Sequence, residues 1–337
     1  MSNHVVDPSI RGRIGRRASL LALSWLAVAA MATPDVVPAA EPPFPTKTVT
    51  LLVPYPAGGG MDAMARALAP YLQAQWGQSV IVENLGGAQS LLGTNRVINA
   101  APDGHVMLIQ NPALLTLSRL YKGIDPVVSL QPASLIASIP SALAVHPSVP
   151  ARDMKELFEY CKAKRDRPCS FGAGEPIGSA TTRRLAAEAK VDNATHVPYR
   201  GTGPLFTDLR GGHVNVGIGS VASTLAHHKS GGLRVIAVGT QEGRVPQLPD
   251  VASFQQQGLK DYFPTWVALF MPASTPKSVA ERVDASVRKA LSDEALRKTL
   301  DGFGAIPSTV PRGDFARSLT REKKVYEDLL DRFPIQQ

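Results

Sequence analysis

The 337-residue chain carries only two cysteines, 6% aromatic residues and 19% charged residues. Two thiols without surrounding His, Asp or Glu ligands do not make a zinc site. No apolar run reaches the roughly 20 residues of a membrane-spanning helix. No basic stretch is interleaved with aromatics, so nucleic acid is not an expected partner. His-Glu-x-x-His is missing, the Gly-x-Ser-x-Gly elbow is missing, and no glycine loop ends in Lys-Ser or Lys-Thr. The adjacent His227 and His228 cannot both face one metal from a regular element. Hydrolase, metalloenzyme and nucleotide chemistry are therefore unsupported: no catalytic residue, metal or cofactor is expected.

What is present begins with a leader. Four arginines (Arg11, Arg13, Arg16, Arg17) precede an apolar segment of about 15 residues starting at Ala18, then small residues and a Pro-rich stretch. This is the pattern of a secretory signal over residues 1–40, and it predicts a periplasmic protein. Arg16 and Arg17 partly fit a twin-arginine signal, although paired basic residues also occur in ordinary export signals. Removing that leader takes four Arg and two Asp with it, leaving 32 basic against 26 acidic residues and a charge of about +6. Such a balance favours anionic ligands weakly and is equally a solubility feature. The remaining length, at 44% hydrophobic residues, is enough for two ordinary domains. Cys161 and Cys169 both fall in the exported part, where a disulfide and two separate thiols are both compatible with the spacing.

Residues 49–68 organise the rest: an apolar β-branched run, Pro-Tyr-Pro-Ala, three glycines, Asp62, then helical spacing. This predicts a strand, a tight loop and a helix start. Gly58, Gly59 and Gly60 permit close approach by another molecule, and Asp62 sits where an N-cap or first-turn acid belongs. Backbone N–H groups at a helix N-terminus attract anions. The motif recurs. A strand over 78–84 meets the loop Gly86-Gly-Ala-Gln-Ser90 and a helix over 94–100, and a strand over 106–110 ends at Asn111-Pro112. Later, a strand over 168–172 meets a small-residue loop to Thr182 and a helix over 183–190, and a strand over 195–198 meets Tyr199-Arg-Gly-Thr-Gly-Pro204. Alternating strands and helices argue a parallel α/β sheet with ligand-facing loops at strand ends. Residues 133–145, broken by Pro140, are expected to be one or two strands passing between domains. Helices are expected over 150–164, 205–210, 277–292 and 314–330, and strands over 214–219, 235–239 and 266–272.

Residues 44–330 resemble the Bug-type (TctC-like) solute-binding proteins of tripartite tricarboxylate transporters. The resemblance is carried by Val53-Pro-Tyr-Pro-Ala-Gly-Gly-Gly-Met-Asp62, Val82-Glu-Asn84, Ala101-Pro-Asp-Gly104, Val197-Pro-Tyr-Arg-Gly-Thr-Gly-Pro204, Thr207-Asp-Leu-Arg-Gly-Gly212 and Leu248-Pro-Asp-Val251. It implies a two-lobed α/β fold of the type II periplasmic binding protein kind, each lobe a mixed or mainly parallel sheet flanked by helices. The lobes would be residues 41–140 plus 266–337 and residues 141–265, clamping a small carboxylate between them. It further implies that Tyr55, Ala57, Gly58, Gly59, Gly60 and Asp62 lie at the cleft, with Asp62 holding ordered water and loop geometry. Tyr199, Arg200, Gly201, Thr202 and Gly203 would face them from the second lobe. Ala88, Gln89, Asn111 and Ser138, with Gly174, Glu175, Ser179, Thr182 and Ser220, complete the expected ligand set.

Three departures bear on the ligand. Leu85-Gly-Gly-Ala-Gln-Ser90 stands where the family has an Arg-Pro-Gly-Ala-Gly-Gly-like stretch. The loop from Gly174 to Arg184 looks longer and has no His, and Gly219 stands where an Asp is common. The implied partners are a small organic acid and the permease subunits of a tripartite transporter, with the receptor acting as a monomer. A co-receptor for a periplasmic sensor kinase is the alternative.

Overall fold

The computed structural model describes residues 44–333, apart from 165, 175, 200, 241, 242, 261 and 263. The expectations for the leader, Glu175 and Arg200 lie outside the described residues.

Continuous apolar runs form strands covered on both faces, because alternate side chains leave a strand on opposite sides. In β1 (Val49–Val53), β3 (Val106–Gln110) and β10 (Thr265–Pro272), one set of side chains (Leu51, Ile109, Leu269) joins a core with Met64, Leu68 and Val283. The opposite set (Leu52, Leu108, Trp266, Phe270) joins a second core with Val97, Phe315 and Leu319. The helices supplying those partners are α1 (Gly60–Trp76), α2 (Leu91–Ile98), α7 (Lys277–Leu291) and α9 (Arg312–Arg332).

The first sheet has six strands in the order β11-β4-β10-β3-β1-β2, with β2 at Val80–Asn84, β4 at Leu130–Ile139 and β11 at Ile306–Pro307. The second has five, β7-β6-β8-β5-β9, from β5 (Ser141–Val145), β6 (Ser170–Ala173), β7 (Thr195–Pro198), β8 (Val216–Ser220) and β9 (Arg234–Gly239). Helices α3 (Met154–Ala163), α4 (Pro176–Glu188), α5 (Thr202–Arg210) and α6 (Val221–Lys229) accompany it. The chain passes from β4 to β5 at Pro140, so residues 133–145 are two strands, and it returns to the first sheet between β9 and β10.

Both sheets are mixed, as the resemblance implies, although the strand–helix alternation alone argued parallel ones. β1 runs parallel to β2 and β3, but β10 is antiparallel to β3 and β4. Likewise β6 is parallel to β7 and β8, while β5 is antiparallel to β8 and β9. Strands buried on both faces carry the same apolar run in either direction, so only the connection decides their sense. The helix expected over 183–190 begins earlier, at Pro176. Among the longer helices, α6 and α8 (Glu294–Gly302) went unpredicted; in α8 the Asp293 carboxylate accepts from the Ala295 and Leu296 N–H groups as N-cap. Cys161 and Cys169 form a disulfide, with Cα atoms 5.4 Å apart. Closing so short a loop removes about 2.5 kcal/mol of unfolded-chain entropy in the loop-closure model.

One carboxyl group is fully buried under α9. Glu322 accepts from the Trp266 indole N–H at 2.9 and 3.0 Å through its two oxygens. Burial pushes its pKa up to about 8, opposed by the hydrogen bonds from Trp266 and Tyr326. The folded state therefore binds this proton more tightly than the unfolded chain. Its contribution is fully present below about pH 4.5 and is lost as pH rises through about 8. Glu322→Gln, which keeps an acceptor for Trp266, should flatten the decline in Tm over that window and leave the variant the more stable form above it. Parallel Tm profiles for the two proteins would rule this assignment out.

Candidate functional site

Because helices cover the sheets on both faces, polar groups for a ligand are found at the strand ends. Three loops of the first sheet are stitched together there. After β1, the Tyr55 hydroxyl donates to Gln110 Oε1 at 2.9 Å and reaches Asn111 Oδ1 at 3.3 Å, both at the end of β3. The Tyr55 carbonyl accepts from Asn84 Nδ2 at 3.2 Å, at the end of β2. Gln110 Nε2 donates to Ser90 Oγ at 3.0 Å, and Gln110 Oε1 also accepts the Asn111 N–H at 2.9 Å. The Gln110 side chain is fully buried.

The loop after β2 adopts an uncommon conformation. Ala88, Gln89 and Ser90 have φ of 45°, 53° and 77°, three successive non-glycine residues in the left-handed region. Each costs about 1–2 kcal/mol relative to the right-handed form. A bond from the Leu91 N–H to the Ala88 carbonyl closes this turn, which leads into α2. Ala88 and Gln89 are exposed, whereas Ser90 is buried.

Asp62 lies in the first turn of α1, not at its N-cap, which is Gly59. The Asp62 carboxylate reaches back to accept the Gly58 N–H at 2.9 Å, and Arg66 one turn on donates to it through Nε at 3.0 Å. Arg66 also bonds Asn84 Oδ1 at 3.2 Å, joining this clamp to the Tyr55 network. The Arg66 hydrogen bond, then the Gly58 N–H, hold the Asp62 pKa below the usual carboxylate range. Gly58 has φ of +84°, which suits glycine and lets the loop turn back onto Asp62. Asp62 is thus a clamp on the loop that precedes its helix.

The second sheet presents two loops in contact. A Cβ on Gly174 would lie 2.4 Å from the Gly201 carbonyl carbon, so only glycine permits this approach. The Gly201 N–H donates to the Gly174 carbonyl at 3.2 Å. Tyr199, in the loop before α5, is tied to that helix, its hydroxyl donating to Asp208 at 2.7 Å. Burial, then Asp208, push its pKa up to about 12. Thr202 opens α5, and Gly203 beside it is exposed.

The remaining expected residues have local duties. Ser220 caps α6, its hydroxyl accepting the Ser223 N–H at 3.2 Å. Thr182 is buried and donates to the Ser179 carbonyl at 2.9 Å. Ser138 is buried near the end of β4, its hydroxyl without a protein partner among the described residues. Ala57, Gly59 and Gly60 are exposed in the first loop. A cavity of about 170 Å³, lined by Pro140, Val221, Ala222, Leu225, Gln247 and Ile306 among others, includes none of the expected residues. The sequence reading omitted Gln110, Ser90, Arg66 and Asn84 as site residues. A signal existed for Gln110, the one polar residue closing the apolar run Val-Met-Leu-Ile-Gln.

Two mixed α/β sheets joined by two crossings, with glycine-rich loops at their strand ends, have the architecture of the periplasmic binding proteins. The chain belongs to the tripartite tricarboxylate transporter receptor family, whose model matches residues 64–331. That family consists of periplasmic solute-binding receptors and not enzymes. Among its relatives is the UPF0065 protein in the TAR-I ttuE-ttuC' intergenic region of Agrobacterium vitis, 31% identical over 83% of this chain and 82% of its own length. The structure of MatC from Rhodopseudomonas palustris with bound malate is similar at a TM-score of 0.65 and 26% identity, covering 85% of this chain and all of that one. The R. palustris protein Rpa4515 with adipate matches at 0.67 and 27%, covering 86% of this chain and 98% of that one.

The clamp has a measurable consequence. Asp62→Ala should leave the Gly58 amide exchanging as fast as an open loop while lowering Tm by about 2–4 °C, since the buried carboxylate's two partners, the exposed Gly58 N–H and the half-exposed Arg66, can turn to water. Retained protection at Gly58 would show that Asp62 does not hold it.

Proposed function

We propose that this receptor closes two lobes on a small carboxylate and delivers it to the permease subunits of a tripartite tricarboxylate transporter. The lobes are residues 41–140 plus 266–337 and residues 141–265, each built on one of the two sheets. Residues 1–40 direct export, and the receptor works as a monomer. The observation that carries the reading is a difference in capping. Helices α3, α6 and α8 begin with Asp153, Ser220 and Asp293 satisfying their own first-turn N–H groups. Helix α1, from the first sheet, and α5, from the second, instead begin at Gly59 and Gly201 with no side-chain cap; α2, α7 and α9 also lack one, behind Ser90, Pro276 and Pro311, so what sets α1 and α5 apart is a glycine N-cap in a strand-end loop of each sheet. Their first-turn N–H groups have no intrahelical acceptor, and an anion is the natural partner for such ends.

The ligand set proposed is that of the first loop (Tyr55 to Gly60, braced by Asp62), Ala88, Gln89, Asn111 and Ser138. From the second lobe come Gly174, Glu175, Ser179, Thr182, Tyr199, Arg200, Gly201, Thr202, Gly203 and Ser220. A carboxylate accepting three or four N–H bonds gains about 1.5–3 kcal/mol from each, part of which offsets ligand and lobe ordering. Micromolar affinity needs only about −8 kcal/mol, so neither metal nor covalent bond is required. Malate and adipate in two related receptors support a carboxylate as the class of ligand.

A thermal-shift screen of malate, adipate, citrate, aromatic acids and amino acids tests the reading, with a neutral sugar as control. At least one acid should raise Tm, and a response to the sugar alone would overturn the proposal. Gly59→Asp sharpens the test. Gly59 has φ of −80°, and an added Cβ meets only the Pro56 carbonyl at 3.6 Å, so the substitution is sterically open. A carboxylate placed at the N-cap satisfies the α1 N–H groups itself. The expected result is an unchanged or slightly raised apo Tm and loss of the acid-induced shift.

A further inference from the structure

We propose that Gln110 is the positioning residue of the ligand site, holding three strand-end loops in register through one buried carboxamide. Its oxygen accepts from Tyr55, in the loop after β1, at 2.9 Å, and from the Asn111 N–H, in the loop after β3, at 2.9 Å. Its nitrogen donates to Ser90, in the loop after β2, at 3.0 Å. Gln110 and Ser90 are both buried, so water does not compete for these bonds. An amide is suited to the task because it supplies acceptor and donor from one end. Met fills the same space and supplies neither strongly.

The bond to Ser90 matters most, because it holds the last residue of a left-handed turn that non-glycine residues ordinarily avoid. Exposed Ala88 and Gln89 precede Ser90 in that turn, and so take their orientation from it. Gln110 thus acts on the ligand through the loops and touches none of it. The inference deepens the carboxylate-receptor reading and rests on it only for its ligand consequence.

Hydrogen exchange of the full-length protein, read by mass spectrometry, tests the proposal without a ligand. Gln110→Met should accelerate exchange by about tenfold or more in all three peptides covering residues 55–62, 86–92 and 111–116. Rates in β6 and β8, in the second sheet, should stay unchanged. A second variant separates positioning from plain stability. Ser90→Gly removes the hydroxyl but relieves the positive φ, so its Tm should stay within about 3 °C of the wild type while residues 86–92 exchange faster. Faster exchange confined to residues 106–110, faster exchange across the whole chain, or no change would each overturn the assignment. With malate as probe, Gln110→Met should weaken any wild-type Kd at least tenfold. A wild type blind to malate and to every other acid would count against the carboxylate reading, while the exchange pattern still decides the role of Gln110.

Discussion

Burial of both faces of each sheet is the constraint from which the rest follows. With Leu51 and Leu52, or Trp266 and Val267, packed into cores on opposite sides of the first sheet, and Leu143 and Ala144 likewise in the second, the central strands leave no face to meet a solute. Backbone polar groups remain accessible at strand ends and helix starts, and there the chain concentrates its glycines and small polar side chains. The chain supplies two such sheets and crosses between them twice, first at Pro140. A receptor of this design has its recognition chemistry in loops by geometrical necessity, not by choice of residue.

Loops made of glycine are soft, and the molecule stiffens them with side chains one layer below. Asp62 pulls the Gly58 amide back toward α1, Arg66 links Asp62 to Asn84, Asn84 holds the Tyr55 carbonyl, and Gln110 gathers Tyr55, Asn111 and Ser90. Each bond contributes on the order of 1 kcal/mol, yet together they oppose the unfavourable left-handed turn at Ala88 to Ser90. The same economy explains the bare ends of α1 and α5. Helices α3 and α8 are capped by their own Asp, whereas α1 and α5 begin in glycine loops at Gly59 and Gly201, with first-turn N–H groups that no side chain caps.

Differences in the loops bear on ligand identity. Gln89 and Ser90 stand where the resemblance leads one to expect glycines, and Ser90 is the residue tied to Gln110. Replacing permissive residues by ones that need a tether changes a flexible loop into a shaped one. A neighbouring residue such as Gln89, exposed in that turn, then carries a side chain where the resemblance implies a glycine.

Much of the fold is legible in the sequence. Apolar runs ending in glycine loops located β1, β2 and β6, one ending at Asn111-Pro112 located β3, and the ordered motifs identified the family, because both signals are local and survive without knowledge of contacts. It left open whether residues 133–145 were one strand or two, and Pro140 divides them. It left the cysteine pair open as well, since eight residues of spacing allow a bond that only the approach of α3 to β6 brings about. Strand direction, the sheet partners of β10 and the roles of Gln110 and Glu322 were decided by the tertiary structure alone. Gln110 reads as the end of a strand, and Glu322 as one charge among many on a helix. Burial and the meeting of residues far apart in the chain, such as Trp266 with Glu322 and Tyr55 with Gln110, make them what they are. Such meetings leave no periodic trace, because the energy involved belongs to a pair and not to either residue.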